Sequence, residues 1–342
     1  MAYTTIDNPF KFFNTVTYTG NATARTITGV GFQPDWVWGK IRSEAQDHVI
    51  VDAIRGATKQ IYTSDGSAEQ TESQGLTGFA SDGFTLGTHA YFNKNTATYV
   101  AWNWLAGGSA SSNGDGSITS SVSANTTAGF SIVSYTGTGS NATVGHGLGV
   151  APSMIIVKSR SSTDWWITYH KSVGATKYVP LNFQNAEATN SGIWNDTEPS
   201  SSVFSIGTNG GTNGSSNNYI AYCFAEVKGY SKFGSYTGNG NADGTFVYTG
   251  FKPAFIIFRR TNGTGNWQLI DNKRIGFNVD NYTLYPNSNI ADQDENDADI
   301  LSNGFKLRGT GTDGNGSGDT YIYMAFAESP FVNSSGIPCN AR

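Results

Sequence analysis

The chain repeats one long pattern three times in the same order, and this recurrence limits its possible folds more than any other feature. Each copy opens on a Tyr-Thr-Gly phrase and closes on an aromatic run that begins 81, 84 or 85 residues later. The opening tyrosines are Tyr18, Tyr135 and Tyr236, and the closing ones are Tyr99, Tyr219 and Tyr321. A unit of about 90–100 residues is the size of a β-sandwich domain.

Alternation of apolar and polar residues with period two indicates strands in every copy. In "SDGFTLG" and "SNGFKLRG" a turn dipeptide leads into such a strand. Glycine accounts for 42 of 342 residues and charged residues for only 14%, which favours short strands with polar turns over long helices. The sequence therefore predicts an all-β protein of three tandem β-sandwich repeats of the jelly-roll or concanavalin-like type.

The repeats and the segments between them divide the chain into six parts. We predict an N-terminal segment at 1–14, sandwich repeats at 15–106, 130–228 and 229–330, a linker at 107–129 and a C-terminal tail at 331–342. Ser, Asn, Thr and Gly dominate the linker, a composition typical of flexible segments, with room for one short strand. The second and third repeats are joined by a short junction, so we expect them to lie close together.

The internal alignment assigns the two tryptophans of "GFQPDWVWGKIR" to the core. Aligned on the preceding proline, the first column holds Trp36, Met154 and Phe255, and the second holds Trp38, Ile156 and Ile257. A sugar-stacking platform needs a flat ring, which methionine and isoleucine cannot supply. A buried strand position needs only apolar volume, so all six residues are predicted to fill a core.

Two charged patterns accompany the core strands. Two residues beyond the second column, on the same sheet face, stand Lys40, Lys158 and Arg259. Their stems are expected to cover the rim of the core while their charges reach water or a carboxylate. The next strand ends in Asp-x-x-Arg in two copies, with Asp52 and Arg55 in the first and Asp271 and Arg274 in the third. We expect these pairs to lock a turn by a charge-assisted hydrogen bond.

No catalytic motif is found in the sequence. The four histidines lack paired spacing, and no Gly-x-Ser-x-Gly occurs. The stretch "ADQDENDADI" resembles the start of a calcium loop, but Asp297 and Asn303 stand where an EF-hand needs Gly and Glu. It is predicted to be a solvated loop, with a Ca²⁺ site at Asp292, Asp294 and Asp297 as the alternative. No catalytic residue and no other cofactor is expected.

Charge, hydropathy and cysteine content exclude several other classes. The formal net charge of −5 does not suit a nucleic-acid-binding surface. No apolar run approaches the roughly 18–20 residues that span a bilayer. The N-terminus lacks the basic and apolar regions of a secretory signal, so Cys223 and Cys339 are expected to be free thiols.

Several long phrases carry a resemblance to a known group of proteins. "MAYTTIDNP", "GVGFQPDWVWGKIR" and "GTFVYTGFKPAFIIFRRT" resemble tail fibre or virion structural proteins of tailed phages that infect marine bacteria, including cyanophages. The resemblance extends from Met1 to about Phe331. It implies jelly-roll or concanavalin-like repeats and a location in the virion after synthesis in the host cytoplasm. It assigns no binding residue.

The function implied by the resemblance is that of a non-enzymatic virion structural protein. We expect a tail fibre or tail-tip appendage that attaches to the host surface, in contact with other virion proteins and as a homo-oligomer, with a trimer favoured. A capsid-bound decoration or head fibre is one alternative, and a carbohydrate-binding module for host glycans is another. Candidate exposed aromatic residues for a glycan are Trp165, Tyr91 and Trp194.

Overall fold

The computed structural model describes residues 3–274, 278 and 282–339, and most of these residues lie in strands and short turns. They form 28 strands, three single-turn α-helices and one 3₁₀ turn at Pro9–Lys11. Every ladder between neighbouring strands is antiparallel, and the short strand lengths follow from the Gly, Asn and Ser residues that interrupt them. The prediction of an all-β fold is confirmed.

The first third of the chain forms two sheets that face each other. Its elements are β1 (Phe13–Thr19), β2 (Arg25–Thr28), β3 (Trp36–Ile41), β4 (Val49–Asp52), β5 (Lys59–Tyr62), β6 (Gln70–Thr71), β7 (Leu76–Ala80), β8 (Gly83–Leu86), α1 (Ala90–Asn93) and β9 (Thr98–Trp104). The main sheet has the order β1-β9-β3-β4-β5-β6, and the small sheet has the order β2-β8-β7. Val37, Phe84 and Ala101 belong to the core between them.

The second third repeats this arrangement with a longer main sheet. Its elements are β10 (Ser111–Asn113), β11 (Ser120–Asn125), β12 (Phe130–Thr136), β13 (Ala142–Gly145), β14 (Met154–Ser159), β15 (Ile167–His170), β16 (Lys177–Pro180), β17 (Ala188–Thr189), α2 (Ser191–Trp194), β18 (Val203–Ile206), α3 (Gly210–Asn213) and β19 (Asn218–Phe224). The main sheet has the order β10-β11-β12-β19-β14-β15-β16-β17, and β13 pairs with β18 in the small sheet.

The last third again has a main and a small sheet. Its elements are β20 (Ser231–Thr237), β21 (Phe246–Tyr248), β22 (Phe251–Arg260), β23 (Trp267–Asp271), β24 (Tyr282–Thr283), β25 (Gln293–Asp294), β26 (Ala298–Leu301), β27 (Gly304–Leu307) and β28 (Thr320–Pro330). The main sheet has the order β20-β28-β22-β23, the small sheet has the order β21-β27-β26, and β24 pairs with β25.

All three main sheets share one four-strand order, and the recurring tyrosines explain it. The shared orders are β1-β9-β3-β4, β12-β19-β14-β15 and β20-β28-β22-β23. In each sheet the opening tyrosine pairs directly with the closing tyrosine, and their rings stack with centroids 5.0, 5.2 and 4.9 Å apart. Direct cross-strand aromatic pairs stabilise a sheet and fix its register. The phrases that define the repeat in the sequence therefore define the strand pairing.

The inner faces of the three main sheets pack into one shared core. The six residues of the two aligned columns all lie in it and are at most 1% exposed. Ring contacts join each pair of sheets, with centroids 4.7 Å apart for Trp36 and Tyr222, 5.4 Å for Trp104 and Phe255, and 6.1 Å for Phe224 and Phe326. Each sheet thus contacts both others around a common centre.

Buried hydrogen bonds also join each pair of main sheets. Tyr222 of the second sheet donates to Asp52 of the first at 2.8 Å. Trp102 Nε1 of the first sheet donates to Asp271 of the third at 3.0 Å. Between the second and third sheets His170 Nε2 lies 3.2 Å from the backbone oxygen of Tyr323. Met324 occupies the position that Trp102 and Tyr222 hold in the other two sheets, but it has no hydrogen-bond donor. The contact is therefore made by the backbone carbonyl of Tyr323, which accepts from His170.

The Asp-x-x-Arg pairs lie at the ends of β4 and β23 and are buried. Asp271 Oδ1 accepts from the backbone N–H of Arg274 at 3.1 Å, and its Oδ2 lies 2.8 Å from Arg274 Nε. Asp52 and Arg55 make the same contacts. The carboxylate satisfies the turn's backbone donors and the guanidinium together, so the pairs act as turn locks.

The aligned cations are more deeply buried than the sequence predicted. Lys40 and Lys158 are fully buried, and their ammonium groups donate to backbone carbonyls instead of reaching water or a carboxylate. Burial lowers the pKa of each ammonium to about 8. Arg259 is also fully buried, and its Nη2 donates to the backbone oxygen of Asn185 at 2.6 Å.

The segment 107–129 is structured, whereas its composition predicted a flexible linker. It contains β10 and β11, and β11 pairs with β12 from Ser121 to Asn125. Ile118 and Val122 are buried in the core of the second sandwich. Two apolar residues on one face suffice to attach this polar segment to the sheet. Within the described chain Cys223 is buried and Cys339 is exposed, and both are free thiols.

Candidate functional site

Trp165 is the one predicted glycan-contact residue that presents a ring to solvent. It is 38% exposed and lies directly before the buried Trp166. Its ring packs against Phe183, which is also 38% exposed, with centroids 4.9 Å apart. The two rings together form a small exposed aromatic surface.

Trp194 and Tyr91 do not lie in this surface. Trp194 is only 2% exposed, because the single turn α2 directs it into the second sandwich, where it meets the edge of Tyr169. Tyr91 is partly buried in α1, and its ring lies 5.2 Å from Tyr62. The proposed contact role of Trp194 is therefore corrected to a core role, and Tyr91 packs on the core of the first sandwich.

The three aspartates of the calcium alternative are engaged separately. Asp292 bridges two arginines, with contacts of 2.6 Å to Arg42 and 2.8 Å to Arg274. Asp297 accepts a hydrogen bond from Thr283, and Asp294 is exposed on β25. Among the described residues no group of three acidic, histidine or cysteine side chains is placed to hold a metal ion. The geometry therefore does not support the alternative of a Ca²⁺ site at these three aspartates.

An amide-lined cleft begins at Phe183, between loops of the second and third sandwiches. Its volume is about 450 Å³, and it is lined by Asn182, Phe183, Gln184, Asn185, Thr264, Asn287 and Ser288. Hydrogen bonds to the side-chain oxygens hold two of these amides in place. Asn182 accepts from the backbone N–H of Trp166 at 3.0 Å, and Asn287 accepts from that of Trp267 at 2.8 Å. Asn182 is 4% exposed, and its Nδ2 has no partner in the protein.

Asn266 forms the wall between this amide cleft and a second, acidic cleft. Its oxygen accepts from Gln184 at 2.7 Å and from Asn287 at 2.9 Å, both on the amide side. Its Nδ2 donates to Asp313 at 2.9 Å on the acidic side. One asparagine therefore links the walls of the two clefts by hydrogen bonds, and Phe183 of the Trp165–Phe183 pair lines the amide cleft. We call the two clefts and the Trp165–Phe183 pair together the interdomain groove.

The acidic cleft has a volume of ≈ 400 Å³ and lies in the third sandwich. Its lining residues are Asn266, Gln268, Tyr285, Glu295, Asp297, Gly309, Gly311, Thr312, Asp313, Gly314 and Asn315. Burial raises the pKa of Asp297 to about 6, against the opposing hydrogen bonds from Thr283 and Gln268. Tyr285 donates to Glu295 at 2.7 Å. The cleft therefore concentrates carboxylates where solvent is partly excluded.

Sequence reasoning identified Trp165 but missed the rest of the interdomain groove. Phe183 occupies the position that Asp65 and Ser288 hold in the other two sheets, so it is an aromatic residue without a counterpart. That departure from the repeat, within the amide-rich stretch "LNFQNAEATN", was the available signal. Nothing in the sequence marked Gln268 and Asn266 as lining a cleft, because the other side of that cleft is a loop about 45 residues further along the chain.

The fold and the groove define the class of the protein: an all-β protein whose paired sheets surround a shared core and carry a polar, aromatic-rimmed surface groove. The chain belongs to the family described as Domain of unknown function (DUF7483), whose model matches residues 8–330. This match includes all three main sheets. No curated protein matches the chain. Among the described residues, no helix has the length and apolar character needed to cross a membrane.

Proposed function

We propose that this chain is a non-enzymatic structural protein of a phage virion, part of a tail fibre or tail tip, that attaches the particle to glycans of the host surface. The resemblance of its long phrases to such proteins supports the location. The paired rings of Trp165 and Phe183 beside the amide cleft support the attachment role. This aromatic and amide surface is the observation that carries the proposal.

The chemistry of the groove suits a sugar. A pyranose ring offers an apolar face of C–H groups to an aromatic ring and hydroxyl groups at its edge. Asn182 and Gln184 can donate and accept at those hydroxyls, and the free Nδ2 of Asn182 gains a partner when one binds. Ligand sites combine aromatic contact with a few placed polar groups in this way.

Glycan arrays test the attachment role. The wild-type chain is expected to bind a subset of bacterial surface glycans, and Trp165→Ala and Phe183→Ala are each expected to lower the signal about tenfold or more. Phe246→Ala is the matched control, because Phe246 is 45% exposed on β21, away from the interdomain groove. Equal loss in the control, or no wild-type signal, would contradict glycan attachment.

Purified virions test the location and the absence of catalysis. Mass spectrometry is expected to detect the chain, and labelled particles are expected to carry it on the tail. A label on the head would instead favour the capsid decoration alternative.

Incubation with the bound glycan is expected to release no reducing sugar, and light scattering is expected to give the mass of a homotrimer. Release of reducing ends would overturn the non-enzymatic part of the proposal.

A further inference from the structure

The three interfaces between neighbouring sandwiches share one backbone hydrogen bond. In each interface the backbone N–H of an acidic residue donates to the backbone oxygen of the residue that directly follows a core strand, β3, β14 or β22. The pairs, with the acidic residue first, are Glu69 with Arg160, Asp292 with Arg42 and Glu187 with Thr261, at 3.0, 2.9 and 2.8 Å. Glu187 is therefore the counterpart of Glu69 and Asp292, and Thr261 is the counterpart of two arginines.

At two of these interfaces a pair of guanidinium groups neutralises the acidic residue. Glu69 Oε2 lies 2.8 Å from Arg160 Nε and 3.5 Å from Arg55 Nη1. Asp292 is bridged by two arginines in the same way. One arginine of each pair follows the core strand, and the other ends the Asp-x-x-Arg turn. Two cations of this kind offset the cost of a carboxylate that is largely removed from water.

The interface between the second and third sandwiches has neither arginine. Val173 stands where the first sandwich has Arg55, and Thr261 stands at the end of the core strand. Among the residues that the structure describes, the only partner of the Glu187 carboxylate is Lys177, whose Nζ lies 2.6 Å from Oε1. The Lys177 side chain is 40% exposed, so this pair is well solvated and stabilises little. The second carboxylate oxygen of Glu187 therefore still needs a donor.

Arg160 shows what this position of the pattern holds when an arginine is present. Its Nε and Nη2 lie 2.8 and 3.0 Å from the two carboxylate oxygens of Glu69, and its Nη1 lies 3.4 Å from the hydroxyl of Ser134. Ser235 is the counterpart of Ser134, because each directly precedes the opening tyrosine of its copy. A carboxylate and a hydroxyl are therefore the acceptors that this position presents to a guanidinium fork.

The interface without arginines contains a cavity at the corresponding place. Its volume is about 280 Å³, and it is lined by Ser172, Glu187, Ser235, Tyr236, Thr237, Thr261, Thr320, Tyr321 and Ile322. This lining includes Glu187, Ser235 and Thr261, the counterparts of Glu69, Ser134 and Arg160. It contains no lysine or arginine. The cavity therefore keeps the acceptors for a guanidinium group that the chain itself does not supply.

We propose that this cavity, which we call the guanidinium pocket, binds an arginine side chain of a partner protein, with the guanidinium group on Glu187 and Ser235. The occupant comes from another molecule, because every arginine that the structure describes is already engaged within the chain. These arginines are Arg25, Arg42, Arg55, Arg160, Arg259, Arg260, Arg274 and Arg308. The proposal adds a protein contact to the molecule and does not rest on glycan attachment.

The lining of the guanidinium pocket distinguishes its occupant from related cations. A guanidinium group bonds both oxygens of a carboxylate at once, whereas the ammonium of lysine is a point charge without that fork. Free arginine carries a carboxylate, and the lining offers no basic group to meet it. An arginine within a protein chain lacks that carboxylate. It therefore suits the pocket better than lysine or the free amino acid.

NMR titration with three small probes tests the guanidinium pocket: arginine blocked as its N-acetyl methylamide, lysine blocked in the same way, and agmatine. Wild type is expected to bind blocked arginine about fivefold more tightly than blocked lysine. Glu187→Gln is expected to weaken the binding of blocked arginine about tenfold. Glu44→Gln is the matched control, because Glu44 also pairs with a partly exposed lysine, Lys94, but in the first sandwich.

A variant that carries its own arginine provides a second test. Thr261→Arg restores the residue found at the other two interfaces, and its guanidinium group is expected to fill the pocket. Blocked arginine should then no longer bind, and the melting temperature should rise by about 2 °C. Thr261→Val keeps the size of the side chain and is expected to retain the binding of blocked arginine. Glu187→Gln keeps the test decisive should Thr261→Arg fold poorly.

Several outcomes would contradict the guanidinium pocket. Equal affinity for blocked arginine and blocked lysine, or unchanged affinity in Glu187→Gln, would overturn it. Binding of blocked arginine to folded Thr261→Arg would place the site elsewhere in the molecule. Tighter binding of agmatine than of blocked arginine would show a small-molecule occupant and overturn the protein source. Glycan-array signals are expected to be unchanged in Glu187→Gln, so the failure of either proposal leaves the other standing.

Discussion

Asp297 is a single residue whose place in the acidic cleft lowers the free energy of unfolding when its carboxyl group is charged. Its carboxyl group is desolvated in the acidic cleft, and its pKa rises to about 6. The folded protein therefore binds this proton more tightly than the unfolded chain does. Protonation stabilises the fold as the pH falls through 6, and above pH 6 the cost of the buried charge is fully present. Residues that bind ligands often carry such a cost.

Replacement of Asp297 by asparagine is expected to stabilise the protein. Asp297→Asn removes the buried charge and keeps an acceptor for Thr283, so the free energy of unfolding at pH 7.5 is expected to rise by about 1–3 kcal/mol. The gain should shrink as the pH falls from 6 towards 4, which urea denaturation at several pH values measures. Asp294→Asn, an exposed carboxylate of the same loop, is the control. A variant less stable than wild type at pH 7.5 would contradict this account.

The ends of the core strands are held by single carboxylates that serve several donors. Asp52 accepts from Tyr222 of the neighbouring sheet and from the backbone of its own turn, while it pairs with Arg55. Asp52→Ala would leave a buried guanidinium with only distant acidic support from Glu69 at 3.5 Å. The loss in free energy of unfolding is therefore expected to be about 3–5 kcal/mol, measured by urea denaturation.

An exposed carboxylate provides the comparison for this turn lock. The side chain of Asp243 is 81% exposed, and its pairing with Lys306 lies at the surface. Asp243→Ala is expected to leave the free energy of unfolding nearly unchanged, because the pair is solvated and screened. Similar effects of the two substitutions would mean that the buried lock contributes no more than a surface pair.

Strand pairing, core positions and turns could be predicted from the sequence where the residues that determine them lie within one copy of the pattern. The tyrosine pairs, the aligned core columns and the Asp-x-x-Arg turns all depend on spacing within one copy of the pattern. Gln184 and Asn266 meet because loops from two sandwiches come together, and no period in the sequence encodes that meeting. The burial of Lys40 was also missed, because the covering residues come from another part of the chain. Position within a repeat was predictable, and contact between repeats was not.

The three sandwiches differ from independent domains because their largest core is shared. Each sandwich has its own small core, but the inner faces of all three main sheets meet in one cluster that contains most of the buried tryptophans. An isolated sandwich would expose its inner face to water, at a cost of about 25 cal/mol per Å² of apolar surface. Buried hydrogen bonds such as Trp267 Nε1 to Pro180 O at 2.8 Å join the sheets further.

The whole molecule is therefore expected to unfold in one cooperative transition. Trp36→Ala opens a cavity in the shared core and is expected to cost about 3–5 kcal/mol. Because the core is common, hydrogen exchange should show the same loss of protection in β27 of the third sandwich as in β8 of the first. Phe305→Ala, in the third sandwich's own core, is the comparison for a local cavity. Several calorimetric transitions, or unchanged protection of β27 in Trp36→Ala, would show that the sandwiches unfold independently.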